Sequence, residues 1–320
     1  MNFLTRLLSA LMATGFLCSC AFVNVPLTQP SMPLKEQVLE GESSNKILLI
    51  DITGVISEQE KSSGLLDQPQ PSMVSLVRES LQKAEADQHI AALILRINSP
   101  GGTVTASDII HHELLEFKKR KKVPVLACIM SLGTSGGYYV AAAADEITAH
   151  PTAVTGSIGV ITMKFNLEGL MGKIGVEEQT IKSGDKKDIM SPFRRATPEE
   201  IKLAQEIIDR FYGRFLDIIM ARAGNRLTRE ELKLLADGRL YTADQALAGK
   251  LVDRIGYLDE LIAQTRTRIH DDKARVVSYY RPGSYKGSIY ADAVTKGSPL
   301  EMFGGIEGFS AGGFLYLWKP

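Results

Sequence analysis

Cysteine is scarce: three in 320 residues, Cys18, Cys20 and Cys128. Two stand together near the start and one lies alone in an apolar run, so no disulfide framework or thiolate metal cluster follows. Cys128 reads as a small buried hydrophobe. Excess charge is missing too. The 37 basic residues balance 37 acidic ones, and a neutral chain offers nucleic acid no electrostatic attraction. Histidine is sparse, five in all. No internal repeat is found, and no cofactor or metal site is read from the chain. What is present is ordinary: 44% apolar residues, ample for a core, in a length that suits one large domain or two small ones.

The start of the chain has an export leader. Arg6 precedes an apolar run from Leu7 to Leu17, a basic start with a short apolar region. The run is short for a membrane span. Its end, Leu17-Cys18-Ser19-Cys20, resembles a bacterial lipobox, which implies cleavage before Cys20 and acyl chains on Cys20. More than one acyl chain gives stable anchoring. An uncleaved anchor is the alternative, because apolar residues continue to Val23. Either way the body is exported, to the cell envelope. The expected division is a leader over 1–19, a polar tether over 20–45, a folded body over 46–270 and a tail over 271–320.

Within the body, apolar runs alternate with amphipathic stretches. Lys46 to Ile56, Ala91 to Ile97, Val123 to Met130 and Asp145 to Ala149 read as buried strands. Ser72 to His89 and Ser107 to Lys118 carry helical spacing. This β-α-β-α-β-α-β order predicts an α/β fold with a largely parallel sheet. Glu178 to Lys182 reads as a further strand. Thr197-Pro198-Glu199-Glu200 starts a helix that runs to about Arg222, with Ile201, Ala204, Ile208, Phe211, Phe215 and Ile218 as its core stripe. The tail ends in Phe314-Leu315-Tyr316-Leu317-Trp318. That end is too apolar for a free tail and is expected to dock on its own body or on a neighbour.

One stretch has the form of a reactive site. Gly133-Thr134-Ser135-Gly136-Gly137-Tyr138-Tyr139 joins the third strand to an alanine-rich helix expected over Tyr138 to Ala144. Glycines there admit a substrate backbone and unusual dihedrals, and a helix start offers free N–H groups to a developing negative charge. In parallel sheets, sites lie beyond the carboxyl ends of strands. Asn98-Ser99-Pro100-Gly101-Gly102 is also a strand exit, which makes the Gly102 N–H a candidate oxyanion donor. A serine hydroxyl needs a base. Gly133-x-Ser135-x-Gly137 formally fits a nucleophile elbow, but only His150 and His270 follow it. Three lysines in one downstream loop, Lys182, Lys186 and Lys187, are the other candidates, since a buried amine can be held neutral.

Four blocks in order carry a family resemblance: Leu95 to Val104, Thr134 to Tyr139, Thr155 to Val160, and Ile181 to Pro192. Together they resemble the signal peptide peptidase A family, and Gly238 to Leu247 and Gly249 to Asp253 are also similar. The resemblance spans about Lys46 to Leu261. It implies a ClpP/crotonase-like fold of repeated β-β-α type units, and a serine endopeptidase with a Ser/Lys dyad. Carried over by residue, it makes Ser135 the nucleophile, Lys187 the general base and Ser157 the group that orients the lysine. Gly102 and Gly136 become the oxyanion N–H donors. It also implies apolar peptides such as released signal peptides as substrates, membrane lipid as a partner through Cys20, and a homo-oligomeric ring built from a short single-repeat form. The ring leaves open whether Lys187 serves its own Ser135 or a neighbour's. The chain departs from the family at Ser131 to Thr134, where a run of small residues is expected, and at His150, where a polar amide is expected. A non-catalytic scaffold of the same fold and a Ser-His-Asp esterase remain as alternatives.

Overall fold

A computed structural model describes residues 33–60, 71–281, 288–291 and 313–318. Cys20 and the leader lie outside the described residues. In chain order the first half comprises β1 (Lys35–Glu40), β2 (Lys46–Thr53), α1 (Met73–Ala86), β3 (Ile90–Ser99), β4 (Gly101–Thr103), α2 (Val104–Lys121), β5 (Val125–Thr134), α3 (Gly136–Ala141), β6 (Glu146–Ala149) and β7 (Val154–Gly156). Then come α4 (Glu168–Lys173), α5 (Pro198–Ala223), α6 (Arg229–Leu235), β8 (Leu240–Thr242), α7 (Ala243–Ala248), β9 (Arg254–Ile255), α8 (Leu258–Arg268), β10 (Arg275–Tyr280) and β11 (Leu315–Leu317).

The main sheet runs β1-β10-β2-β3-β5-β6-β9, with β7 beside β5 and β8 beside β7. Only the β1–β10 and β7–β8 pairs in it are antiparallel. The fold is thus α/β with a largely parallel sheet. Its central strands are mostly apolar because helices cover both faces, and the charges they do carry, Asp51 of β2 and Arg96 of β3, pair with each other at 2.7 Å. Side chains alternate between those faces. Leu48, Ile50 and Ile52 of β2 join a large core with Val77 and Leu81 of α1 and Ile110 and Leu114 of α2. Ile47 and Leu49 face a smaller core with Leu258, Leu261 and Ile262 of α8. Cys128 lies in the smaller core, where burial pushes its thiol up to about 12. It is an inert packing group.

Several expectations are revised. Residues 35–40, read as tether, form edge strand β1 against β10, which itself lies in the stretch read as tail. Main-chain pairing recruits these strands although their side chains are mixed in polarity. Residues 178–182 form no strand, and 179–182 lie exposed. The serine helix closes at Ala141 rather than Ala144. Helix α5 has the expected capping box at Thr197 and Glu200. Its apolar stripe, however, is buried only in its second half, through Phe215, Leu216 and Ile219. Ile201 is exposed, as are Phe165, Leu170 and Ile174 in the segment before it. Among the described residues no helix is long and apolar enough to cross a membrane.

Candidate active site

Strand β5 carries the chain to the centre of the sheet edge and ends abruptly at Ser135. This residue has φ 52° and ψ −116°, a conformation that costs a non-glycine residue of the order of 1–3 kcal/mol. The surroundings hold it there. Its N–H donates to the Gly156 carbonyl at 2.8 Å, and its own carbonyl accepts from the Tyr139 N–H at 2.9 Å. Its side chain is buried and, among the described residues, its hydroxyl has no hydrogen-bond partner. Strain of this kind reverses the chain so sharply that the hydroxyl stands clear of both the strand and the helix.

The Gly102 turn meets it from β4. Ile56 donates its N–H to the Gly101 carbonyl (2.8 Å) and accepts from the Thr103 N–H (2.9 Å). These bonds use one edge of β4, so the Gly102 N–H and carbonyl face the opposite edge. The approach is close: a methyl on Gly102 would lie 1.8 Å from the Ile56 carbonyl oxygen. A methyl on Gly136 would lie 3.1 Å from the Gly102 nitrogen and 2.5 Å from Ser107 Oγ. Gly102 and Gly136 are therefore neighbours beside Ser135, and glycine is needed at both for want of space. Ser157, also at positive φ (49°), follows the carbonyl that fixes Ser135. Its N–H donates to the Arg239 carbonyl at 2.8 Å.

The lysine loop is separate. Lys182 pairs with Asp188 at 2.8 Å and Lys186 with Glu199 at 2.5 Å. Asp188 is also clamped by Arg194, whose hydrogen bond is the first cause holding that carboxyl below its usual range. The hydrogen bond from Lys186 to Glu199 raises the Lys186 amine, which keeps it charged. Lys187 is exposed, and among the described residues its amine has no hydrogen bond or ion pair. Of the three lysines it alone is uncommitted, but within one chain it is not bonded to Ser135. Neither histidine reaches Ser135 either. His150 bonds Thr152 at 2.9 Å and packs edge-on against Tyr257, and His270 lies exposed beyond α8.

Sequence reasoning missed the support beneath α3. The Tyr139 hydroxyl donates to Asp108 at 2.5 Å, Asp108 pairs with Arg214 at 2.7 Å, and His111 packs edge-on against the Tyr139 ring. Its signal was the helical spacing of Asp108 and His111 on one face, lost among surface charges. Burial lowers His111 to about 4. The folded state therefore holds it neutral while the unfolded chain gains a proton near its usual value. Its contribution is nil above about 6.5 and becomes destabilising as pH falls toward about 4, by at most about 3 kcal/mol. Urea unfolding at pH about 7.5 and about 5 should show a smaller acid loss of stability in His111→Gln than in the parent. Equal losses would remove His111 as the cause.

Residues 117–270 match the family model described as Peptidase family S49. A putative signal peptide peptidase SppA from Enterococcus faecium is 35% identical, over 77% of this chain and 70% of that one. The chain belongs to peptidase family S49. A putative protease from Synechocystis is 39% identical over 66% of this chain and 70% of its own. The chloroplastic serine protease SPPA of Arabidopsis thaliana is 31% identical over 75% of this chain but 35% of its own. The S49 chain described here is a serine peptidase, and peptides are its substrates.

Proposed function

We propose that this S49 peptidase is a membrane-anchored endopeptidase with a Ser/Lys dyad that cleaves apolar peptides, released signal peptides among them. The carrying observation is Ser135, strained and buried, with an unbonded hydroxyl beside the adjacent Gly102 and Gly136. Ser135 Oγ attacks the scissile carbonyl, and the Gly102 and Gly136 N–H groups receive the oxyanion. One such donor contributes ~2.7–4 kcal/mol to the transition state. Lys187 takes the hydroxyl proton and returns it to the leaving amine, held in line by Ser157. An amine base must be desolvated to be neutral, and Lys187 is exposed in the single chain. That favours a neighbouring subunit as the cover, and the apolar residues left open on α5 and before it favour such an assembly. Lipid on Cys20 tethers the assembly at the membrane, where apolar peptides collect.

The test is covalent labelling by a fluorophosphonate, read by mass spectrometry of the digested protein. One adduct on the peptide bearing Ser135, absent in Ser135→Ala, is expected. No adduct, or an adduct on another serine, overturns the assignment.

A further inference from the structure

The proposed base stands on a loop without helix or strand, so another element has to set where its amine points. Residues 184–191 are a run of short turns. The Lys187 N–H donates to the Gly184 carbonyl (3.0 Å), the Ile189 N–H to the Lys186 carbonyl (3.2 Å) and the Ser191 N–H to the Asp188 carbonyl (2.9 Å). Exposed turns of this kind open at little cost. One side chain fastens them. Arg194 grips Asp188 three times: Nε donates to Oδ2 at 2.8 Å, Nη2 to Oδ1 at 2.7 Å and Nη2 to the Asp188 carbonyl at 3.2 Å. The same guanidinium grips Glu200, with Nη2 donating to Oε1 at 2.6 Å and Nη1 to Oε2 at 2.9 Å. Lys182 adds a second cation on Asp188, at 2.8 Å.

Glu200 is a fixed point. It accepts from the Thr197 N–H at 2.8 Å as half of the capping box of α5. Helix α5 is anchored in turn by Phe215, whose ring tilts against Tyr139 of α3 with centroids 4.9 Å apart. Helix α3 begins directly after Ser135. Direct contacts thus tie Asp188, the neighbour of Lys187, to the helix that follows the nucleophile. Exposed ion pairs hold little, but these carboxylates are not exposed: the Asp188 side chain is 12% accessible and that of Glu200 2%. The carboxylate paired with Lys186, by contrast, is 70% accessible. The hydrogen bonds from Arg194 are the largest cause holding Asp188 below its usual range and Glu200 down to about 2, so both stay charged at neutral pH. A planar fork that spans two carboxylates is a geometry an ammonium does not copy.

We propose that Arg194 is the positioning residue of the general base: by bridging Asp188 to Glu200 at the start of α5 it fixes the place from which Lys187 reaches the reacting serine. The effect on catalysis rests on the reading of Lys187 as base; the bridge that holds the loop does not. Among the described residues none of these groups bonds to Ser135, so Arg194 acts through Lys187. A base displaced by about 1 Å costs about a hundredfold in rate.

The experiment is a double-mutant cycle on the full chain, read with a fluorogenic peptide. Arg194→Ala should lower kcat about a hundredfold with KM within about threefold of the parent. Arg194→Lys keeps the charge without the fork and should recover only part of that loss. In the Lys187→Ala background the further cost of Arg194→Ala should be less than about threefold, because a residue that acts through Lys187 has nothing left to act on. An equal loss in both backgrounds, or kcat within about threefold of the parent for Arg194→Ala, overturns the proposal. The bridge is read without catalysis by amide exchange. In Arg194→Ala the N–H groups of Lys187, Ile189 and Ser191 should exchange about tenfold faster than in the parent, with Leu93 and Leu126 of the core strands unchanged. Unchanged exchange in the loop overturns the bridge. Faster loop exchange beside full activity of Lys187→Ala would indict the base and not the bridge. Should Arg194→Ala fail to fold by circular dichroism, Asp188→Asn takes its place in every arm. It leaves Arg194 on Glu200 and the α5 cap intact, and kcat within about threefold of the parent then overturns the proposal.

Discussion

Ser135→Ala is expected to lower peptide hydrolysis by a factor on the order of 10⁴–10⁶, while the circular dichroism spectrum and the oligomeric state stay those of the parent. The size follows from the loss of the nucleophile itself, since Ser107 Oγ, the hydroxyl beside Gly136, already donates to the Thr103 carbonyl at 2.9 Å. Alanine keeps the Cβ and so keeps the strain at φ 52°. Ser135→Gly is just as inactive, yet it relieves that strain and should unfold at higher urea than Ser135→Ala, by about 1 kcal/mol. Measuring both variants separates chemistry from conformation. Activity within about tenfold of the parent in either one would sink Ser135 as nucleophile. Equal stabilities would mean that the Gly156 and Tyr139 bonds tolerate the turn without strain.

How legible this was in the sequence depends on the range of the forces involved. The core strands β2, β3 and β5 could be read directly, because a strand buried on both faces reads as a near-continuous apolar run, as Ala91 to Leu95 does. The cap of α5 could be read because capping is local, confined to Thr197, Pro198 and Glu200. Ser135 and Gly102 could be read as strand exits, and the sheet brings them together. Strands β1 and β11 could not be read as strands. Their order comes from main-chain pairing with residues 245 and 212 positions away, Lys35 with Tyr280 and Leu315 with Thr103, and no local pattern encodes a partner so distant. The apolar composition of residues 314–318 nonetheless signalled docking. The stripe on α5 misled because helical spacing marks a face without saying what covers it, and in the single chain nothing described covers Ile201.

Lys187→Ala is expected to lower hydrolysis to a similar extent, on the order of 10⁴-fold or more, because a serine hydroxyl without a base is a poor nucleophile. Lys187→Arg should not rescue it, since a guanidinium stays protonated and cannot accept the Ser135 proton. Lys186→Ala removes only the pair with Glu199 on the exposed surface and should leave kcat/KM nearly unchanged. That contrast between adjacent lysines separates a base from a general loss of positive charge. The source of the base is then read by mixing two inactive proteins, Ser135→Ala and Lys187→Ala, under conditions that exchange subunits. If Lys187 serves a neighbour's Ser135, mixed assemblies contain sites with both groups intact and hydrolysis returns in part. If it serves its own chain, every site lacks one group and mixing restores nothing. The first outcome is the expected one, since the Lys187 amine in a single chain is exposed and bonded to none of the described residues, while Ser135 is a buried residue whose hydroxyl bonds none of the described residues.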